Sequence, residues 1–77
     1  MKKTYFTKAN RIHNKLGDQL TSIEHLIHDI RSEYDSKSYE WQESVHGKNM
    51  MDFLNKLNRA FEDLVDVRFT LSQVRKD

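Results

Sequence analysis

The chain has 77 residues, no Cys, no Pro and two Gly, with 32% of residues charged and a formal net charge of +1. That length allows one domain with a thin core, and the missing Cys excludes disulfides and thiolate zinc sites as staples, so self-association is the expected support. The charge is uneven: residues 1–17 carry Lys2, Lys3, Lys8, Arg11 and Lys15 with no acid, whereas residues 18–45 carry seven acids against Arg31 and Lys37.

The opening "MKKTYFTKANR" has lysines but lacks the apolar stretch of a secretory signal. No apolar run reaches the ~18 residues of a membrane-spanning helix. A soluble, cytoplasmic protein is expected, the absence of Cys fitting a reducing compartment. From Leu16 the apolar residues recur at Leu20, Ile23, Ile27, Ile30 and Tyr34, the alternating spacing of a coiled-coil-like seam that reaches back to His13, with Ile12 beside it. This predicts helix one over about Lys8 to Tyr34, with Thr7 as N-cap. Gly17, followed by Asp18, is its weak point and a candidate kink or break, at a cost of ~1 kcal/mol relative to Ala.

A joint follows over residues 35–47. Asp35 and Ser36 are expected to end helix one, Ser38 to cap the next helix, Trp41 to cover the end of the core, and Gly47 to permit a bend or a close approach. Helix two is expected to begin at Ser38 or near residue 48 and to run to about 75. One of its seams reads Met50, Phe53, Leu57, Ala60, Leu64, Val67, Leu71, Val74; a second reads Leu54, Leu57, Phe61, Leu64, Arg68, Leu71. Two adjoining seams make a wider apolar stripe than one neighbour needs. The predicted fold is therefore all-α: an antiparallel two-helix hairpin in a single domain, 1–77, dimerising through helix two into a four-helix bundle. Arg68, which interrupts the second seam, reads as an edge residue with its guanidinium in water, or as a partner for Asp18 that sets register.

Candidate chemistry is sparse. "EHLIHD" puts His25, His28 and Asp29 at spacings that share a helical face, which makes them weak metal candidates, but the seam assignment turns them outward and two histidines supply half a zinc site. Ser44 and His46 lie close together without a nucleophile elbow, Glu62 and Asp63 are ordinary surface acids, and no glycine-rich phosphate loop exists. No catalytic residue, metal or cofactor is assigned, and a non-enzyme is expected. Antiparallel folding would gather Lys2, Lys3, Lys8, Arg11, Lys15, Arg68, Arg75 and Lys76 into a basic end, beside which Tyr5 and Phe6 could stack on bases. A nucleic-acid-associated regulator is the alternative this supports. Trp41, Met50, Met51, Phe53 and Phe61 are the candidate partner-binding residues, Met and Phe suiting irregular contacts and Trp being frequent at binding hot spots.

The stretch "YDSKSYEWQESVHGKNMMDFLNKLNRAFEDL" resembles small helical-hairpin proteins of phages and other mobile elements, whose joint runs Tyr-Asp, then Ser-x-x-Trp-Gln-x-Ser-x-x-Gly. The matching residues are Tyr34, Asp35, Ser38, Trp41, Gln42, Ser44 and Gly47. Those proteins usually continue into an acidic, Ala/Glu-rich helix, from which Met50, Met51, Phe53 and Phe61 depart. The resemblance implies a hairpin and no biochemical activity. It also implies a phage or prophage origin and an accessory role; together with the absence of catalysis and the small size, the expected function is to bind a host or defence factor and inhibit or redirect it. A self-assembling structural component is a further alternative.

Overall fold

A computed structural model of the chain describes residues 2–74. It consists of α1 (Lys3–Ser36), a short α2 (Tyr39–Glu43) and α3 (Val45–Gln73), with no strand among the described residues. α1 and α3 run antiparallel and pack along their length, so the all-α hairpin read from the seams is the fold. Phe6, Ala9, His13, Leu16, Leu20, Ile23, Ile27, Ile30 and Tyr34 form the row of α1 turned toward α3, all half-buried or buried. Gly47, Met50, Leu54, Leu57, Phe61, Leu64, Arg68 and Leu71 form the answering row. Both repeat with alternating steps of three and four, the period that keeps one stripe facing one neighbour.

The result is a rod of 58 × 15 × 12 Å with a radius of gyration of 17.6 Å. A compact globule of this length would have roughly 11–12 Å. Two helices can cover only one stripe of each other, so only Leu20 and Leu54 among the described apolar side chains are buried.

Several boundaries differ from the sequence expectation. α1 starts at Lys3, about a turn before Lys8, and Thr7 is not its N-cap: the Thr7 hydroxyl lies inside the helix and donates to the Lys3 carbonyl at 3.2 Å. Lys2 occupies the cap position without a side-chain hydrogen bond, and the first turn holds no acid. The start is thus set by the seam reaching Phe6, against an unfavourable macrodipole interaction of about 0.3–1 kcal/mol. At the other end Ser36 donates to the Glu33 carbonyl at 2.7 Å and the Lys37 amide to Tyr34 at 3.1 Å, closing the helix two residues beyond Tyr34. The joint holds two helix starts rather than one. Ser38 caps only the single-turn α2, accepting from the Trp41 amide at 3.2 Å; Ser44 caps α3, accepting from the Gly47 amide at 3.3 Å. The end of helix two at about 75 lies outside the described residues.

Gly17 neither kinks nor breaks α1, which is continuous through it. Its missing side chain makes room for Arg68. A Cβ at Gly17 would lie 2.7 Å from Nη2 and 2.9 Å from Cζ of Arg68, whose Nε donates to the His13 carbonyl at 3.2 Å. Arg68 therefore reaches across the hairpin to α1 backbone; of its two readings, the ion pair with Asp18 is not what forms. Gly17→Ala should recover ~1 kcal/mol of helix propensity in an Arg68→Ala background and little or nothing when Arg68 is present, because the guanidinium must leave its slot. Urea unfolding of the four chains at one concentration measures this coupling. Equal gains in both backgrounds would show that the slot has no energetic weight.

Candidate interaction face

Numbering the rows as heptads, with the seam residues at a and d, gives the flanking columns e and g. Reversing one helix reverses the sense in which its positions run around the axis, so in an antiparallel pair g faces g and e faces e. The two sides of the hairpin are chemically different. On the e side lie Asn10, Gly17, Glu24 and Arg31 of α1 and Met51, Asn58, Val65 and Ser72 of α3, largely polar or small. The g side carries Tyr5, Ile12, Gln19, Leu26 and Glu33 of α1 and His46, Phe53, Ala60, Val67 and Val74 of α3. Its apolar members remain well exposed, with Ile12 and Val67 at 52%, Phe53 at 51% and Leu26 at 44%.

The g side is thus an apolar face built from both helices, while exposed Val65 and Phe69 of α3 lie off it. Register follows from two cross-helix anchors, Arg68 against His13 and Gly17 near the open end and Met51 beside Tyr34 near the joint. It sets Val74 level with Ile12, Val67 with Gln19, Ala60 with Leu26 and Phe53 with Glu33. Toward the open end Val67, Leu71 and Val74 line a shallow, mainly apolar groove with Asp66 and Thr70. The two seams of helix two accordingly part company: Leu54, Phe61 and Arg68 turn to α1, while Phe53, Ala60, Val67 and Val74 do not.

The five candidate partner residues are dispersed. Phe53 stands on the g face. Phe61 and Met50 lie in the row facing α1, Met51 borders a groove with Tyr34, Gln42 and Lys48, and Trp41 is half-buried at the joint. The Trp41 ring packs edge-on against Tyr34, with centroids 6.4 Å apart, and the Lys37 ammonium lies 5.4 Å from its centroid. Sequence reasoning gave Gln42 a place in the joint motif but no role; its Nε2 donates to the Tyr34 carbonyl at 2.9 Å and the Lys37 carbonyl at 3.3 Å. It ties α2 to the open carbonyls at the end of α1, a capping role with no short-range spacing rule to reveal it. The Ser44 hydroxyl donates to the Trp41 carbonyl and accepts from Gly47, so it ends α2 and starts α3 at once.

His25, His28 and Asp29 are exposed on the outer side of α1, and no group of three or more His, Cys, Asp or Glu is gathered for a metal among the described residues. Lys8, Arg11 and Lys15, three and four residues apart, form an exposed stripe on the outer side of α1. Lys2 and Lys3 lie at its start, with the Lys2 ammonium 5.9 Å from the Tyr5 ring centroid. Arg75 and Lys76 of the expected basic end lie outside the described residues. Beside this stretch of α1, residues 69–74 carry no charge and Arg68 reaches in from α3, so the described open end holds six cations and no acid. No helix among the described residues is long and apolar enough to cross a membrane. Compared with known protein families, curated proteins and solved structures, the chain matches none of them.

Proposed function

We propose that this chain is a non-catalytic protein-binding module that docks helices on the g face of its hairpin. The observation that carries the reading is the apolar column on each helix, Tyr5, Ile12 and Leu26 beside Phe53, Val67 and Val74, left uncovered by the intrachain seam. Coiled-coil-type recognition uses side chains repeating every seven residues in this way, and an exposed apolar row rimmed by charge is the usual mark of a protein contact. The joint motif shared with phage and mobile-element hairpins supports a narrower reading, an accessory protein that inhibits or redirects a host or defence factor. That narrower reading rests on the resemblance and on no feature of the fold.

Affinity capture with the wild-type chain and with Val67→Asp tests the proposal. Val67 stands beside the seam and is 52% exposed, so the substitution leaves the a and d row intact while placing a charge in the proposed contact. Proteins retained by the wild type and lost with Val67→Asp are the expected result; the same eluate from both chains would overturn docking of a different protein through this face. The stripe of Lys8, Arg11 and Lys15 favours a second reading, a nucleic-acid-associated regulator. Its signature in the same eluates is nucleic acid that falls away steeply with salt and is unaffected by Val67→Asp.

A further inference from the structure

The occupant of the g face can be taken further, on the reading of that face as a docking surface. We infer that it is a second copy of this chain, docked antiparallel, so that two hairpins close into a four-helix bundle with the joint of each beside the open end of the other.

Size and pattern fit a closed pair, and charge sets its orientation. A face 58 Å long and 15 Å wide offers on the order of 900 Å² per copy, close to the ~800 Å² per partner of a standard stable interface. The levels along the face are also self-complementary. Turning one copy end for end brings Gln19 and Val67 to the level of Leu26 and Ala60 of the second copy, and Glu33 and Phe53 to the level of Ile12 and Val74. Each polar member of the α1 column then meets apolar residues of the other α1. A parallel pair, turned about an axis along the rods, sets α1 over α3 of the second copy, where Gln19 meets Val67 and Glu33 meets Phe53, so the pattern fits a closed pair in either sense.

Charge selects the antiparallel orientation. Lys2, Lys3, Lys8, Arg11, Lys15 and Arg68 make the described open end basic, whereas Glu33, Asp35, Glu40 and Glu43 against Lys37 and Lys48 make the joint acidic. Antiparallel docking brings the acidic joint of one copy to the level of the basic end of the other. Parallel docking would instead gather both basic ends at one end of the bundle and both acidic joints at the other, where like charges repel.

Light scattering coupled to gel filtration reads the oligomeric state directly. The expected result at tens of micromolar is a particle of twice the 9.3 kDa chain mass for the wild type, and a helical monomer for Val67→Asp and for Leu26→Asp. A wild-type monomer overturns self-docking; the module reading then stands or falls on whether Val67→Asp still abolishes capture of other proteins. A dimer that survives both substitutions overturns the g face as the interface for any partner. Orientation is read from a spin label on Lys8→Cys, an exposed site in a chain without native Cys. Antiparallel copies put the two labels roughly 40 Å apart by the 1.5 Å helical rise, and a separation under about 20 Å would overturn the orientation.

Discussion

Gly47→Ala should lower the unfolding free energy by about 2–3 kcal/mol and the melting temperature by roughly 10–20 °C at fixed chain concentration. Neither glycine has a positive φ, so the requirement at Gly47 is space. Its added Cβ would run into the carbonyl oxygens of Trp41 and Gln42 and lie 2.6 Å from the Gln42 carbonyl carbon. Those atoms belong to backbone that is held in place. The Trp41 carbonyl accepts from the Ser44 amide at 3.0 Å as well as from the Ser44 hydroxyl, and the Gln42 side chain fixes α2 to the end of α1. Relief would therefore displace α2 and uncouple the capping bonds together, outweighing the ~1 kcal/mol that Ala gains in a helix. Gly17 is the contrast within the same chain, since what it accommodates is the far end of a flexible Arg. Thermal melts of Gly47→Ala and Gly17→Ala under one condition separate the cases. A Gly47→Ala chain melting with the wild type would show that the joint is loosely held.

The seams were legible because helix packing has a local signature. Leu16 to Tyr34 and Leu54 to Leu71 repeat with the period that faces one neighbour, and the helices form and pair accordingly. The division of helix two into one seam for α1 and another left open was visible in the same spacing, since Phe53, Ala60, Val67 and Val74 recur every seven residues. The matching column on α1 was harder to see. Gln19 and Glu33 interrupt Tyr5, Ile12 and Leu26, and it becomes a face only when antiparallel pairing sets it beside α3. Gly17 and Gln42 were opaque for a different reason. A glycine in mid-helix carries a propensity cost wherever it occurs, and only the arrival of Arg68 from a position distant in sequence gives the vacancy a use. The joint lies between these extents of legibility: Ser38 and Ser44 are both ordinary cap residues, and choosing one start instead of two overlooked a five-residue helix too short for any periodic signal.

Leu54→Ala should cost about 3 kcal/mol, more than Leu20→Ala, although the residue type and place in the heptad are the same. Leu54 is fully enclosed, at 0% exposure, two turns into α3 from Gly47 on the row facing α1. Removing its side chain leaves a void that rigid neighbours cannot fill, the circumstance in which Leu→Ala reaches the middle of its 2–5 kcal/mol range. Leu20 retains 8% exposure and borders an open groove of about 280 Å³ with His13, Val65, Arg68, Phe69 and Ser72. Water and flexible side chains can enter there, so its truncation should cost about 1 kcal/mol less. Chemical denaturation of the two variants at matched concentration gives the comparison, and equal costs would place the core's centre of stability away from the joint. Phe53, beside Leu54 but on the open g face, extends the logic. Its truncation should matter little to an isolated hairpin and increasingly as chain concentration rises, because burial that depends on a second copy is lost by dilution.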